Sequence, residues 1–238
     1  MKNPFKNVSK PGNRDRASYS PKRPSWYSKL INFRTSSWRR SMFQITNTML
    51  PYYILFVGMM VLVNRGVPYI WILLIALPVS LLVVRIFIFC HDCCHGSFTP
   101  STKANRVLGH LTGSLAFVAY EQWRRRHLIH HATSGQLDHR GTGDVPTLTF
   151  DEYRDANALV RFGYRLIRNP FVLLIFGPIY SFILQSRIPR RNSEHKTTGS
   201  VIITNLIILS YGVLFSLIGS SHKSVHDFGQ REVTKAVI

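Results

Sequence analysis

Four apolar runs alternate with basic, polar stretches along the chain: residues 46–64, 67–90, 170–186 and 200–219. Each reaches or approaches the roughly 17–25 apolar residues that a helix needs to cross a bilayer. The first two are separated only by Arg65 and Gly66, a connection short enough to predict a helical hairpin. The last two predict a second hairpin. A shorter apolar run, 107–120, lies between the pairs, and its fourteen residues suit an interfacial helix better than a span. Packing four such helices inside a soluble protein would need other protein to cover them, and little chain remains for that. The expected fold is therefore an all-α integral membrane protein. Its two transmembrane hairpins flank a polar segment that contains the interfacial helix.

Charge supplies the orientation. The 238 residues carry a net charge of +19, which alone would suggest nucleic acid as a partner. Its distribution between apolar blocks argues for a membrane instead, with no nucleic acid. Residues 1–45 hold eleven Lys and Arg against one Asp, read as a flexible basic arm containing Pro11, Pro21 and Pro24. By the positive-inside rule the arm stays in the cytoplasm, as does the 91–169 segment with its ten Lys and Arg. The connection 187–199 would then lie outside, yet it carries Arg187, Arg190, Arg191 and Lys196, which pulls against that placement. Within the second run, Arg85 is expected to snorkel to the interface.

The unusual chemistry sits beside these helices. His91 and His95 follow the second run as H-x-x-x-H, and His127, His130 and His131 form H-x-x-H-H. Residues three or four apart share a helical face, so each cluster turns two rings the same way. Neutral imidazoles suit zinc, copper, iron or nickel; a surface histidine cluster or a pH-sensing patch is the bland alternative. Cys90 and Cys93 make a C-x-x-C, with Cys94 next, but no further cysteine closes a zinc site, and packed, reduced thiols are the simpler expectation. Arg124, Arg125 and Arg126 are a basic patch for an acidic carrier or anionic headgroups, or else a solvated positive-inside loop.

The stretches "HDCCHGSF" and "WRRRHLIHHATSGQLDHRGTGDVPTLTFDEY" resemble the first two histidine boxes of the membrane fatty acid desaturases, closest to the omega-6 (delta-12) type. The likeness extends over about 46–219 and is most specific over 91–153. It implies four membrane helices under a cytoplasmic cap and two non-haem irons, with His91, His95, His127, His130 and His131 as metal ligands. Asp92 becomes a candidate to accept a hydrogen bond from a ligating ring. The resemblance also implies oxygen-dependent insertion of a double bond into a membrane lipid acyl chain, with electrons from ferredoxin or a cytochrome-type donor. Related hydroxylases and ketolases share the boxes.

Three departures stand beside the match. Cys94 occupies a position where the family commonly has glycine, and Gln136 one where asparagine is usual. The family's third box, another H-x-x-H-H, is not found: after Gly219 the histidines are His222 and His226, in a polar tail over 220–238 unlike the family's. The sequence thus reads as a desaturase-like chain truncated before its third box, with inactivity as the expected consequence.

Overall fold

The computed structural model describes residues 26–30, 35–189 and 195–237, without the side chains of residues 27, 28 and 218–237. The basic arm up to residue 25, and the side chains of the tail with His222 and His226, lie outside it. Among the described residues every regular element is helical. After a single turn, α1 (Tyr27–Leu30), come two long helices, α2 (Trp38–Asn64) and α3 (Tyr69–Cys94). They fold back on each other through Arg65 and Gly66, where Gly66 takes φ +68°. Tyr52, Val79 and Ile86 are buried along their seam, while Leu73, Leu77 and Leu81 face outward and exposed. An apolar outer surface of this kind matches hydrocarbon rather than water. Near the histidine end the seam is polar. Arg85, expected to snorkel, donates across it to Asn47 at 3.0 Å.

The end of α3 is set by Gly96. At φ +68° it occupies the left-handed position, and the N–H groups of Gly96 and Ser97 return to the carbonyls of Cys93 and Asp92. This paired closure ends the helix at Cys94, with His95 as its cap. The following strap is locked by buried Asn105, whose amide bonds the N–H, hydroxyl and carbonyl of Thr99. Ser41 of α2 donates to the Phe98 carbonyl.

The expected helix over 107–120 forms earlier and ends sooner, as α4 (Thr102–Leu115), capped by the Ser101 hydroxyl. A second left-handed closure explains the early end: Phe117 sits at φ +60°, and Val118 N–H returns to the Gly113 carbonyl at 2.7 Å. A bulky residue there is strained. The Arg187 guanidinium, donating to the Phe117 carbonyl, helps hold it. α5 (Tyr120–Thr133) then runs back beside α3. Gly109 and Gly113 permit this close approach: a Cβ would lie 2.3 Å from the Tyr120 ring at the first and 2.9 Å from the Val118 carbonyl at the second.

Beyond a 3₁₀ turn at Leu137–His139 lie α6 (Phe150–Asp155) and α7 (Ala158–Ile167), capped by Thr149 and Asn157. α8 (Pro170–Pro178) continues as a π-helical segment, Ile179–Leu184, and α9 covers His195–Val237. Among the described residues, three helices are long and apolar enough to cross a membrane: α2, α3 and residues 195–217 of α9. The run expected as a span over 170–186 meets that criterion only together with α7, across a bend of 71°. α9 begins against the base of α5, where Ser200 accepts from Glu121 N–H, and reaches α2 at Phe56, whose ring is 5.3 Å from Phe215.

Candidate metal centre

The site grows from the juxtaposition of α3 and α5. Tyr120, buried at the start of α5, donates its hydroxyl to the Cys93 carbonyl at 3.1 Å, and Arg124 Nε reaches the Cys94 carbonyl at 3.4 Å. The Arg124 bond reaches a carbonyl at the end of α3, and the Tyr120 hydroxyl is a second donor to the Cys93 carbonyl, which already accepts from Gly96 N–H. Cys90, Cys93 and Cys94 are all free and buried in the cluster with Phe89, Phe98 and Tyr120, as packed thiols. Cys94, which stands where glycine was expected, fits that core without opening it.

Around the end of α3 and one turn further along α5, the spacings predicted from sequence bring four imidazoles together. His91 and His95 from α3 meet His127 and His131 from α5, with one ring nitrogen of each within 4.8 Å of the others. His127 is the hub: its Nε2 lies 3.0 Å from Nε2 of His95 and 3.0 Å from Nε2 of His131. A single ring nitrogen has either one proton or one lone pair, so it can direct one straight hydrogen bond and not two. A cation among the rings can serve both contacts.

Electrostatics agree with that donor set. Burial, reinforced by the neighbouring imidazoles, pushes the His127 pKa down to about 4. Burial also lowers that of His95, with His91 and His131 adding to the effect. Rings held neutral present lone pairs, which is the state a metal requires. Trp123 stacks on His127 with centroids 4.3 Å apart and meets Phe87 edge-on, fixing the orientation of the hub. Asp92 stands where the sequence reading placed it, its carboxylate 3.0 Å from Nδ1 of His91.

His130 departs from the group. One residue before His131 on a helix, it points around α5, and its Nδ1 lies 2.7 Å from the Asp144 carboxylate. Gly143, at φ +81°, passes so close that a Cβ would come 3.1 Å from that of His130. Among the described residues, the four-histidine group is the one set of three or more potential ligands gathered closely enough for an ion. On the His130 side of α5, Gln122, Arg126, the 141–143 loop and Leu184 border a cavity of about 400 Å³. The basic triplet is partly absorbed by structure, because Arg126 donates to Gln185 as Arg124 does to Cys94.

Sequence reasoning missed Trp123 and Asp144. Trp123 was signalled by its spacing, four residues before His127. Asp144 gave no local sign, because its approach depends on how the 134–149 loop closes.

A fatty acid desaturase from Bacillus subtilis is 39% identical over 180 residues, covering 76% of this chain and 51% of that protein. An endoplasmic reticulum omega-3 fatty acid desaturase from Vigna radiata is 36% identical over 110 residues, 46% of this chain and 27% of its own. A Synechocystis sn-1 acyl-lipid omega-3 desaturase (ferredoxin) is 34% identical over 116 residues, 48% and 29% of the two chains. The chain matches about half the length of the first of these relatives and less of the others. No solved structure matches. The fatty acid desaturase family model matches residues 67–225, a stretch that contains all four gathered histidines, and the chain belongs to that family.

Proposed function

We propose that this is a fatty acid desaturase-like protein of lipid metabolism that introduces a double bond into a membrane-borne acyl chain. The observation that carries the reading is the convergence of His91 and His95, at the end of the apolar helix α3, with His127 and His131 of α5. Iron is the metal the family implies, and bound iron supplies the oxygen-dependent oxidation that side chains alone cannot perform on an unactivated chain. In this reading the four imidazoles ligate one ion, and His130 belongs to the ligand set of a second. Asp92 accepts the Nδ1 proton of His91 and so leaves Nε2 of that ring free to ligate. Trp123 holds the hub ring against rotation. The omega-6 (delta-12) type is our reading of the boxes.

The substrate is a lipid acyl chain and the electron donor a ferredoxin or cytochrome-type carrier. The Synechocystis relative is named for ferredoxin. The basic character of 91–169 supports a cytoplasmic position for the histidines, the N-terminus and the donor. A metal-binding chain that does not desaturate is the second reading, favoured by the gathering of four histidines rather than five.

Expression in a host lacking polyunsaturated acids, with mass-spectrometric fatty acid profiles and iron counted per purified chain, separates the two. New double bonds with two irons per chain support desaturation. A single iron and an unchanged profile support the second reading.

A further inference from the structure

We propose that α6 and α7 form a binding site for the headgroup of an anionic phospholipid, with α7 lying in the plane of the membrane surface. Around α7 the side chains separate cleanly. Leu159, Val160, Phe162, Leu166 and Ile167 fall in one half of the circumference, and Arg161, Tyr164, Arg165 and Arg168 in the other. The apolar half is uncovered, with Leu159 79% and Phe162 63% exposed. A short helix with one apolar and one arginine-rich face is the form that lies in a membrane interface. α8 leaves it through a 71° bend, as a helix entering the bilayer from one lying along its surface would.

Charge identifies the occupant. The carboxylates of α6 are already engaged: Asp151 and Asp155 pair with Arg154 at 3.2 and 3.0 Å, and Glu152 pairs with Arg140. α7 has no acidic residue of its own. Its guanidiniums therefore need anions from elsewhere. Between the two helices a cavity of about 440 Å³ is lined by Thr149, Tyr153, Tyr164, Arg165 and Arg168.

Arg168 is held ready there. Its guanidinium sits 5.5 Å from the Tyr164 ring centre, and Nη1 donates to the Pro146 carbonyl at 2.9 Å, which leaves Nε and Nη2 for a ligand. Arg165 makes no hydrogen bond or ion pair with the described residues. The Tyr164 hydroxyl accepts from Leu148 N–H and keeps its own proton to donate. Paired guanidiniums and a phenol suit a phosphodiester, and the neighbouring apolar face suits its acyl chains. A free phosphate would leave that face without a partner. The lipid site is separate from the histidines and stands or falls without the metal.

The test uses the full chain in nanodiscs of phosphatidylcholine with or without phosphatidylglycerol. An environment-sensitive dye on Phe162→Cys, the native cysteines being buried, is expected to shift to an apolar signal when phosphatidylglycerol is present. Native mass spectrometry of purified protein is expected to show phosphatidylglycerol retention falling on the order of 20-fold in Arg165→Gln/Arg168→Gln. The charge-matched Arg65→Gln/Lys103→Gln variant is expected to retain it like the parent. Equal losses in both double variants, a dye that stays in water, or inorganic phosphate competing as strongly as the lipid would each overturn the assignment. If the arginine variant fails to fold, the dye measurement on the chain with its arginines intact still decides.

Discussion

His127 touches two other imidazoles at hydrogen-bonding distance and leans on Trp123, so the candidate metal centre is expected to depend on it more than on any other ring. His127→Ala is expected to abolish metal retention, measured as iron or zinc per chain. His130→Ala, which removes a ring facing Asp144, is expected to leave the first ion bound. Equal losses in the two variants would contradict the four-histidine arrangement. Asp92→Asn keeps the shape but weakens the acceptor for the His91 ring proton, and is expected to lower metal affinity by roughly 10- to 100-fold with unchanged helicity. At this scale the sequence was informative where a single helix sets the geometry. Offsets of four residues put His91 with His95 and His127 with His131. His130 was grouped with them by adjacency, yet a neighbouring residue on a helix is rotated well away from His131. Only the folded 134–149 loop, carrying Asp144, reveals what it meets.

At the scale of elements, the apolar runs located α2 and α3, although α2 starts at Trp38 inside the stretch read as a basic arm, and the breaks between helices came from tertiary contacts that no local pattern displays. The early end of α4 rests on a left-handed Phe117 and on Arg187 arriving from seventy residues away. The α4 glycines are testable as the source of its close packing. In Gly113→Ala the new methyl meets the Val118 backbone carbonyl at 2.9 Å and the buried Cys90 Sγ at 3.3 Å. It is expected to cost about 1–3 kcal/mol, read as a lowered unfolding midpoint in detergent. The 134–149 loop is fastened differently, by Glu152. The Arg140 hydrogen bond, with help from Thr149 N–H, holds its carboxyl below the ordinary glutamate range. A folded pKa below the unfolded one means that the folded state binds fewer protons. This fastening is therefore complete above about pH 4.5 and lost as pH falls through the lower folded value. Hydrogen exchange over residues 140–155, normalised to the unfolded chain, is expected to accelerate in that acidic window. Arg140→Gln is expected to remove the step.

Across the whole molecule, the placement of α8 and α9 bears on which residues face which side of the membrane. Reading the apolar runs as two hairpins put the 187–199 connection opposite the histidines despite its basic residues. In the structure Gln122 of α5 donates to the carbonyls of Gln185 and Ile188, Arg187 reaches Phe117 and Ser200 meets Glu121, so both ends of that connection are tied to the base of α5. α9 then descends beside α2 from the histidine end, since Ser41 of α2 bonds the strap after His95 while Phe215 meets Phe56 fifteen residues further along. With α8 too short to cross by itself, Arg187 and Lys196 are expected on the side that holds the basic 91–169 segment, as the positive-inside rule favours. Single-cysteine labelling in intact and permeabilised cells tests this, because the native cysteines are buried. Arg65→Cys, in the α2–α3 turn, is expected to react with an impermeant maleimide in intact cells. Asp138→Cys and Lys196→Cys are expected to react only after permeabilisation. If Lys196→Cys reacts together with Arg65→Cys, residues 170–186 cross the bilayer after all and α9 starts from the far side.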